Sequence, residues 1–233
     1  MKRILGIDLA WGEKMPDAVA VIDWCKESGR VVIGGYQYAH GDEALRLYLK
    51  SQDAEILAVD APTICHNETG ARPVDKECSR LFRDHEAGCH PVNLRLCQRP
   101  IRVAEMCRAL GYHQHWSLQE RGMIEVFPHP AMVRWFALEK TIKYKKGRVS
   151  AKKVEFARYQ QCLSDWLHVH WPTAEWSELF SQVMQEPWSK RTEDLLDAYF
   201  CALIGLWHLA YQGKRSQVLG DEQSGFMVIP IGS

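Results

Sequence analysis

Ile4-Leu5-Gly6-Ile7-Asp8 and Ile56-Leu57-Ala58-Val59-Asp60 are short apolar runs, and each ends in an aspartate. Both predict strands, the first within residues 3–9. Apolar runs within residues 18–22 and 31–38, separated by turn residues, predict two further strands that form an antiparallel meander with the first. The spacing of Ala and Leu predicts a helix over residues 42–50. A continuous apolar strand after a helix favours a parallel position covered on both faces.

The order of these elements predicts where the two aspartates lie. A crossover after a three-stranded meander must be right-handed, and the new strand needs an open edge. The fourth strand therefore pairs in parallel with the first, and their carboxyl ends lie together. Asp8 and Asp60 then point into one crevice, which is where open α/β sheets place their sites. A lone aspartate at a strand end is more often a turn former, so this inference depends on the topology.

The remainder of the chain predicts one domain over residues 1–233, with no repeat and no linker that would divide it. A Cys-, His- and Arg-rich insertion or lid at about 63–121 is expected to hold two helices. Further strands and helices follow it, and the polar, Lys-rich residues 141–150 predict a mobile loop. The predicted helices cover Asp75 to about Glu86, Pro100–Leu110, 131–139 and 151–168; the predicted strands cover Met123–Phe127 and Phe226–Ile229.

The last helix supplies two further acids. Thr192 is predicted to cap this helix, and residues 195–211 are nearly all apolar. Asp194 and Asp197 are three residues apart, so their side chains lie on one helical face. Asp194 could instead complement the helix dipole. Asp197 is surrounded by apolar residues, and an acid on a buried helix requires a partner.

Four carboxylates at one point predict a metal site. They repel each other, so they either raise their pKa values or bind cations. Oxygen ligands with little His or Cys nearby suit Mg²⁺ or Mn²⁺. Two such ions about 4 Å apart are the usual device for hydrolysis of a phosphodiester.

Five motifs together resemble domain-of-unknown-function family 429, whose members are predicted RNase H-like nucleases. They are Gly6-Ile7-Asp8, Ala58-Val59-Asp60-Ala61-Pro62, Arg72-Pro73-Val74-Asp75, Glu125-Val126-Phe127-Pro128 and Asp194-Leu195-Leu196-Asp197-Ala198. The last motif also resembles that of Holliday-junction resolvases. The resemblance implies an α/β fold of the ribonuclease H-like type: a mixed five-stranded sheet of order 3-2-1-4-5 with helices on both faces.

The resemblance also implies roles for the acids in a metal-dependent nuclease that uses two metal ions. Asp8 would be the central bridging ligand and Asp60 the second-strand acid. Asp194 and Asp197 would be the helix acids. Glu125 matches the family's strand-five glutamate, with either a ligand or supporting role, or it is a surface residue at a strand end.

The charge distribution leaves a nucleic-acid partner open. The 233 residues hold 29 basic and 29 acidic side chains, which excludes a uniformly basic protein. Residues 72–102 hold seven basic and four acidic side chains, and residues 134–158 hold nine and two. The predicted phosphate contacts in these segments are Arg72, Lys143, Lys145, Lys146 and Arg148, and the interleaved aromatic residues are Tyr144, Phe156 and Tyr159.

Several alternatives remain at this point. A nuclease-fold module could bind nucleic acid without turnover. An actin-like phosphotransferase relative would need a second Gly-rich phosphate loop, which Asp60-Ala61-Pro62 lacks. The Cys- and His-rich insertion could hold a structural Zn²⁺, although it has no C-x-x-C pair. Trp11, in the turn after Asp8, is expected to line the site, and the protein could form a homodimer as junction resolvases do.

The absence of a signal peptide or an apolar stretch long enough to cross a bilayer predicts a cytoplasmic protein with no membrane partner. The eight cysteines occur singly, which predicts reduced thiols.

Overall fold

The first four strands have the predicted arrangement. A computed structural model describes residues 1–117 and 121–232. Strands β1 (Lys2–Asp8), β2 (Asp17–Trp24) and β3 (Val31–Ala39) form an antiparallel meander. Helix α1 (Asp42–Gln52) crosses over to β4 (Ile56–Val59), which pairs in parallel with β1. The predicted parallel pairing of the first and fourth strands is confirmed.

The main sheet has six strands, not five. Strand β5 (Gly122–Glu125) pairs in parallel with β4, and β6 (Glu175–Trp176) pairs in parallel with β3. The order β5-β4-β1-β2-β3-β6 contains the expected 3-2-1-4-5 order and adds one strand at the edge. The sequence did not indicate β6 because two residues are too few for an alternating pattern. A separate hairpin contains β7 (Ser216–Asp221) and the predicted final strand, β8 (Gly225–Pro230).

Six further helices occur among the described residues; α6 was not predicted, and several ends of the other five differ from the predicted ones. They are α2 (Pro73–Phe82), α3 (Gln98–Ala109), α4 (Pro128–Trp135), α5 (Val149–His170), α6 (Glu178–Gln185) and α7 (Lys190–Ala210). Helices α2 and α4 each begin at a proline, which suits the first helical position. The predicted cap of α7 is wrong: Ser189 caps it and accepts a hydrogen bond from the Thr192 backbone N–H at 3.1 Å.

Helices cover both faces of the main sheet, as expected. Alternation along β1 puts Ile4 in the core formed with α7, while Leu5 packs in a second core with α1 and α3. Helix α7 crosses β1 at very close range at Gly6. A Cβ atom there would lie 2.0 Å from the carbonyl oxygen of Ala198 and 2.2 Å from the backbone nitrogen of Ala202. Only glycine allows this contact.

The insertion after β4 is fixed to the sheet. On α3, Arg99 pairs with Asp17 of β2 at 2.6 Å, and both side chains are buried. Residues 118–120, near the end of the predicted insertion at 63–121, lie outside the described residues. The predicted mobile loop at 141–150 is also anchored, because Ile142 and Tyr144 are fully buried. Among the described helices, none combines the length and the hydropathy that a membrane span requires.

Candidate active site

The ends of β1 and β4 bring Asp8 and Asp60 side by side. In the parallel pairing Ile7 faces Val59, so the next residue on each strand is an aspartate. The backbone N–H of Asp60 donates to the carbonyl oxygen of Ile7 at 2.9 Å, which continues the ladder to the two acids. Neighbouring strands lie about 4.8 Å apart. The predicted convergence of these two residues is therefore built into the register.

Helix α7 adds Asp194 and Asp197 to the same place. Side chains two apart on a strand share a face, so Asp8 lies on the face of β1 on which Gly6 contacts α7. Further down the strand, Gly205 of α7 lies over Ile4, so the helix runs antiparallel to β1. Its N-terminal turns consequently reach Asp8. Asp197 is fully buried there and Asp194 is 7% exposed.

The partner that Asp197 requires comes from the 141–148 segment. The Lys145 Nζ atom lies 2.8 Å from the Oδ2 atom of Asp197, and the Tyr144 hydroxyl donates to Oδ1 at 2.6 Å. Nothing in the local sequence distinguishes these two residues from the rest of the Lys-rich run. Lys190, on the first turn of α7, lies 2.6 Å from Asp194 and was also not predicted to be in the site.

Asp8, Asp60, Asp194 and Asp197 form a group of crowded carboxylates, here called the acid cluster, and their crowding and burial affect their pKa values. Burial raises the pKa of Asp8 well above its ordinary value, and the charges of Asp197, Asp60 and Asp194 add to this while Lys145 opposes it. Burial likewise raises the pKa of Asp60 to about 7, again against Lys145. Burial raises the pKa of Asp197 as well. For Lys145, burial disfavours the ammonium form, but the surrounding carboxylates outweigh it and raise the pKa.

Three of the four acids line a cleft of about 320 Å³, here called the acidic cleft, while the fully buried Asp197 is joined to it through Lys145. Asp8, Asp60 and Asp194 line it together with Lys145, Lys190 and Trp11. Within the part of the chain that the structure describes, no hydrogen bond is donated to the carboxylates of Asp8 or Asp60. These two groups therefore face the acidic cleft with free oxygen atoms. Trp11 lines it, in the position expected from the sequence.

Glu125 lies at the end of β5 but is engaged elsewhere. Its Oε1 atom accepts a hydrogen bond from Arg72 at 2.6 Å, and its Oε2 atom accepts one from Arg72 at 2.8 Å. The Thr63 backbone N–H also donates to Oε2. Glu125 is 2% exposed, so it is not the surface residue that was one of its alternatives.

Arg72 is a structural residue in this arrangement, not the phosphate contact that its basic segment predicted. It is 1% exposed, and its N–H groups donate to Glu125, to Asp75 and to the carbonyl oxygen of Ile64. All five donors of the guanidinium are thereby used. Asp75 lies in the first turn of α2, and Glu125 lies at the end of β5. Arg72 therefore connects the insertion to the end of β5.

The other basic residues divide into two groups. Lys145 belongs to the acid cluster, whereas Lys143 is exposed and forms an ion pair with Glu86. Lys146 and Arg148 are exposed and remain available for phosphate. Of the interleaved aromatic residues, Tyr144, Phe156 and Tyr159 are all fully buried in the core. The stacking surface that they predicted is therefore absent.

No metal site is preformed among the described residues, where no three His, Cys, Asp or Glu side chains are grouped to hold an ion. In the acid cluster, the Lys145 ammonium lies beside Asp197. In the insertion, the thiols of Cys97 and Cys65 contact each other, as do those of Cys89 and Cys78. All eight cysteines are free thiols. The insertion thiols therefore contact each other in pairs, whereas a tetrahedral zinc site needs four ligands.

A family model described as "Protein of unknown function (DUF429)" matches residues 6–224. The chain belongs to this family. The match includes Asp8, Asp60, Asp194 and Asp197, as well as the whole of helix α7, of this DUF429 protein. No curated protein and no solved structure matches the chain significantly.

Proposed function

We propose that this DUF429 protein is a metal-dependent nuclease that hydrolyses phosphodiester bonds with two Mg²⁺ or Mn²⁺ ions. The observation that carries this proposal is that three separate elements bring together Asp8, Asp60 and Asp194, which line one cleft, and Asp197, which is buried next to them. Burying acids together has an electrostatic cost: burial raises the pKa values of Asp8 and Asp60, and the neighbouring carboxylates add to this. A fold tolerates such a cost most readily where a bound cation offsets it.

The donor chemistry of the acidic cleft fits these cations. All of its candidate ligands are carboxylate oxygens, which Mg²⁺ and Mn²⁺ prefer. Lys145 and Lys190 offset two of the four negative charges. Asp8 and Asp60 have no such lysine partner among the described residues, and their oxygens accept no hydrogen bond there. These two aspartates are therefore the primary ligand candidates, and Asp197 becomes available when Lys145 moves away.

The residues around the cleft divide the work of such a reaction. Bound ions would activate a water molecule and stabilise the leaving oxygen. Tyr144 orients Asp197 through its 2.6 Å hydrogen bond. Arg72 holds Glu125 beside Asp60, so Glu125 acts as a positioning residue that contributes negative charge rather than a ligand atom. Lys146 and Arg148, exposed on the same segment as Lys145, would hold the phosphates of the strand.

A nucleic-acid-binding module without turnover is the second candidate, and the position of Lys145 favours it. An ammonium group that stays beside Asp197 would occupy the site that a metal needs. In that case the four acids would hold no metal ion, and phosphate binding would depend on the exposed basic residues alone.

A nuclease screen separates the two candidates. The wild-type protein is incubated with Mg²⁺ or Mn²⁺ and with single-stranded, duplex, hybrid and junction substrates, beside the Asp8→Asn variant. We expect cleavage of at least one substrate by the wild type, and a rate at least about a hundredfold lower for Asp8→Asn. Asp165→Asn, an exposed aspartate on α5, is the matched control and should keep full activity.

Equal behaviour of wild type and Asp8→Asn on every substrate would remove the catalytic proposal. If both nevertheless bind the substrates equally well, the binding module is the correct function. Because Asp8→Asn removes a partly desolvated charge, we expect the variant to fold, which an unchanged circular dichroism spectrum would verify.

A further inference from the structure

A second cavity, of about 400 Å³, opens directly beside the acidic cleft, and we call it the side pocket. The two cavities share Asp60 and Trp11. The walls of the side pocket are chiefly apolar. They are formed by Pro62, Pro91, Val92, Leu96, Phe127 and Met227.

The side pocket has buried charged residues in its lining, but none of them offers a free hydrogen-bond donor. Residues of the insertion line it together with residues at and after the ends of β4 and β5. Arg72 of the insertion and Glu125 of β5 are both buried and are joined by two hydrogen bonds. All donors of Arg72 are used by Glu125, Asp75 and the carbonyl oxygen of Ile64, so Arg72 cannot bind an anionic ligand. With its chiefly apolar walls, the side pocket therefore suits an uncharged group that presents an apolar face.

Its mouth carries large apolar side chains that are exposed to solvent. Trp11 is 42% exposed and Leu96 is 56% exposed. The cavity volume is near the lower end of the ~300–1,000 Å³ typical of small-molecule sites. An exposed indole beside a small apolar cavity is the arrangement on which a planar ring stacks.

We propose that the side pocket binds one unpaired nucleobase, next to the phosphate that lies at the acidic cleft. This inference deepens the proposed function and rests on it for the position of the phosphate. The occupant must be uncharged and must present an apolar face to the side pocket, and it must continue past Asp60 and Trp11 into the cleft where the proposed function places a metal-bound anion. A nucleotide joins these two chemistries in one unit. A base stacked within a duplex cannot enter, so the substrate class is single-stranded or locally unpaired nucleic acid.

Two probes that differ only in the base test this inference: thymidine 5′-monophosphate and deoxyribose 5-phosphate. Their dissociation constants are measured by calorimetry with Mg²⁺ present. We expect the wild type to bind the nucleotide about 5- to 150-fold more tightly than the sugar phosphate, the range that base stacking gives. Trp11→Ala should remove most of this preference, and Leu96→Ala should reduce it. Leu47→Ala, a 54% exposed leucine on α1, is the matched control and should preserve it.

Each outcome bears on a separate part of the inference. If the wild type binds both probes equally, or neither, the nucleobase site is overturned, whether or not Mg²⁺ binds. A preference that survives both Trp11→Ala and Leu96→Ala overturns it as well, because the base must then lie elsewhere. If the preference depends on Trp11 but no Mg²⁺ binds, the nucleobase site stands and the metal-dependent nuclease fails.

Discussion

Replacing Lys145 by methionine removes the ammonium group that lies 2.8 Å from the Oδ2 atom of Asp197. Asp197 is fully buried, so the Lys145→Met variant leaves a buried carboxylate with only the Tyr144 hydroxyl as a partner. Removing one partner of a buried pair costs about 3–5 kcal/mol. The Lys145 side chain is 30% exposed, so we expect a smaller loss of about 2–3 kcal/mol. At about 2–4 °C per kcal/mol, the metal-free variant should melt about 4–12 °C below the wild type.

Mg²⁺ should then shrink this deficit. In the variant a cation can take the vacated position directly, whereas in the wild type it must first displace Lys145 from Asp197. A ligand at a hundred times its dissociation constant stabilises the folded state by about 2.7 kcal/mol, which is enough to offset the loss. Calorimetric melting curves in chelator and in Mg²⁺ measure both effects.

The control for this experiment is Lys2→Met. Lys2 forms an exposed ion pair with Glu55 at 2.7 Å, so its removal should cost less than about 1 kcal/mol and should be insensitive to Mg²⁺. A Lys145→Met deficit of the same size in chelator and in Mg²⁺ would refute the reasoning that the ammonium occupies a cation position. A variant as stable as the wild type in chelator would refute the pairing with Asp197 itself.

Three other substitutions test the frame of the site. Arg72→Met leaves two buried carboxylates unpaired and should lower the unfolding free energy by about 3–5 kcal/mol in urea titrations, whereas Arg102→Met, which breaks two exposed pairs, should cost less than about 1 kcal/mol. Gly6→Ala places a Cβ atom against the backbone of α7, so it should lower the unfolding free energy by at least about 3 kcal/mol or prevent folding. Its control, Gly12→Ala, places a Cβ atom where nothing lies within 4 Å and should change the unfolding free energy little. Burial raises the pKa of Asp60 from 3.8 to about 7, so the folded state of the wild type loses stability as the pH rises across that interval. Asp60→Asn lacks this titration, so in chelator its melting temperature should rise relative to that of the wild type between these pH values.

The position of Asp8 beside Asp60 could be predicted because it depends on connectivity. A meander followed by a helix leaves a parallel strand one favoured place, and the register then aligns the two strand ends. The approach of α7 could also be anticipated from its own composition, since Asp197 among apolar residues needs a polar partner. Gly6 of β1 is consistent with the same approach, because its lack of a side chain permits α7 to cross the strand closely.

The identity of that partner could not be predicted. Lys145 lies in a run of basic residues that is typical of a solvated loop, and its pairing with Asp197 depends on long-range packing. Tyr144 is buried because the segment crosses the core, yet its neighbours Lys143 and Lys146 are exposed. Burial that changes from one residue to the next in an irregular segment follows neither the helical nor the strand period, so the sequence pattern does not reveal it.

The role of Arg72 also could not be predicted from the local sequence. In sequence it is the first residue of a basic segment, which suggested contact with phosphate. In the structure it precedes Pro73 at the start of α2 and is enclosed between Asp75 and Glu125. The pairing with Asp75 is local, but the pairing with Glu125 joins residues far apart in the chain. Only the folded chain distinguishes a buried structural arginine from a nucleic-acid contact.

A Mn²⁺ titration followed by calorimetry measures whether the acid cluster is a site for divalent cations. We expect the wild type to bind two ions per chain, and we expect Asp8→Asn and Asp197→Asn each to weaken binding by more than about tenfold. Asp165→Asn should bind as the wild type does. No Mn²⁺ binding by the wild type, or unchanged binding by both cluster variants, would show that the cluster is not a site for divalent cations.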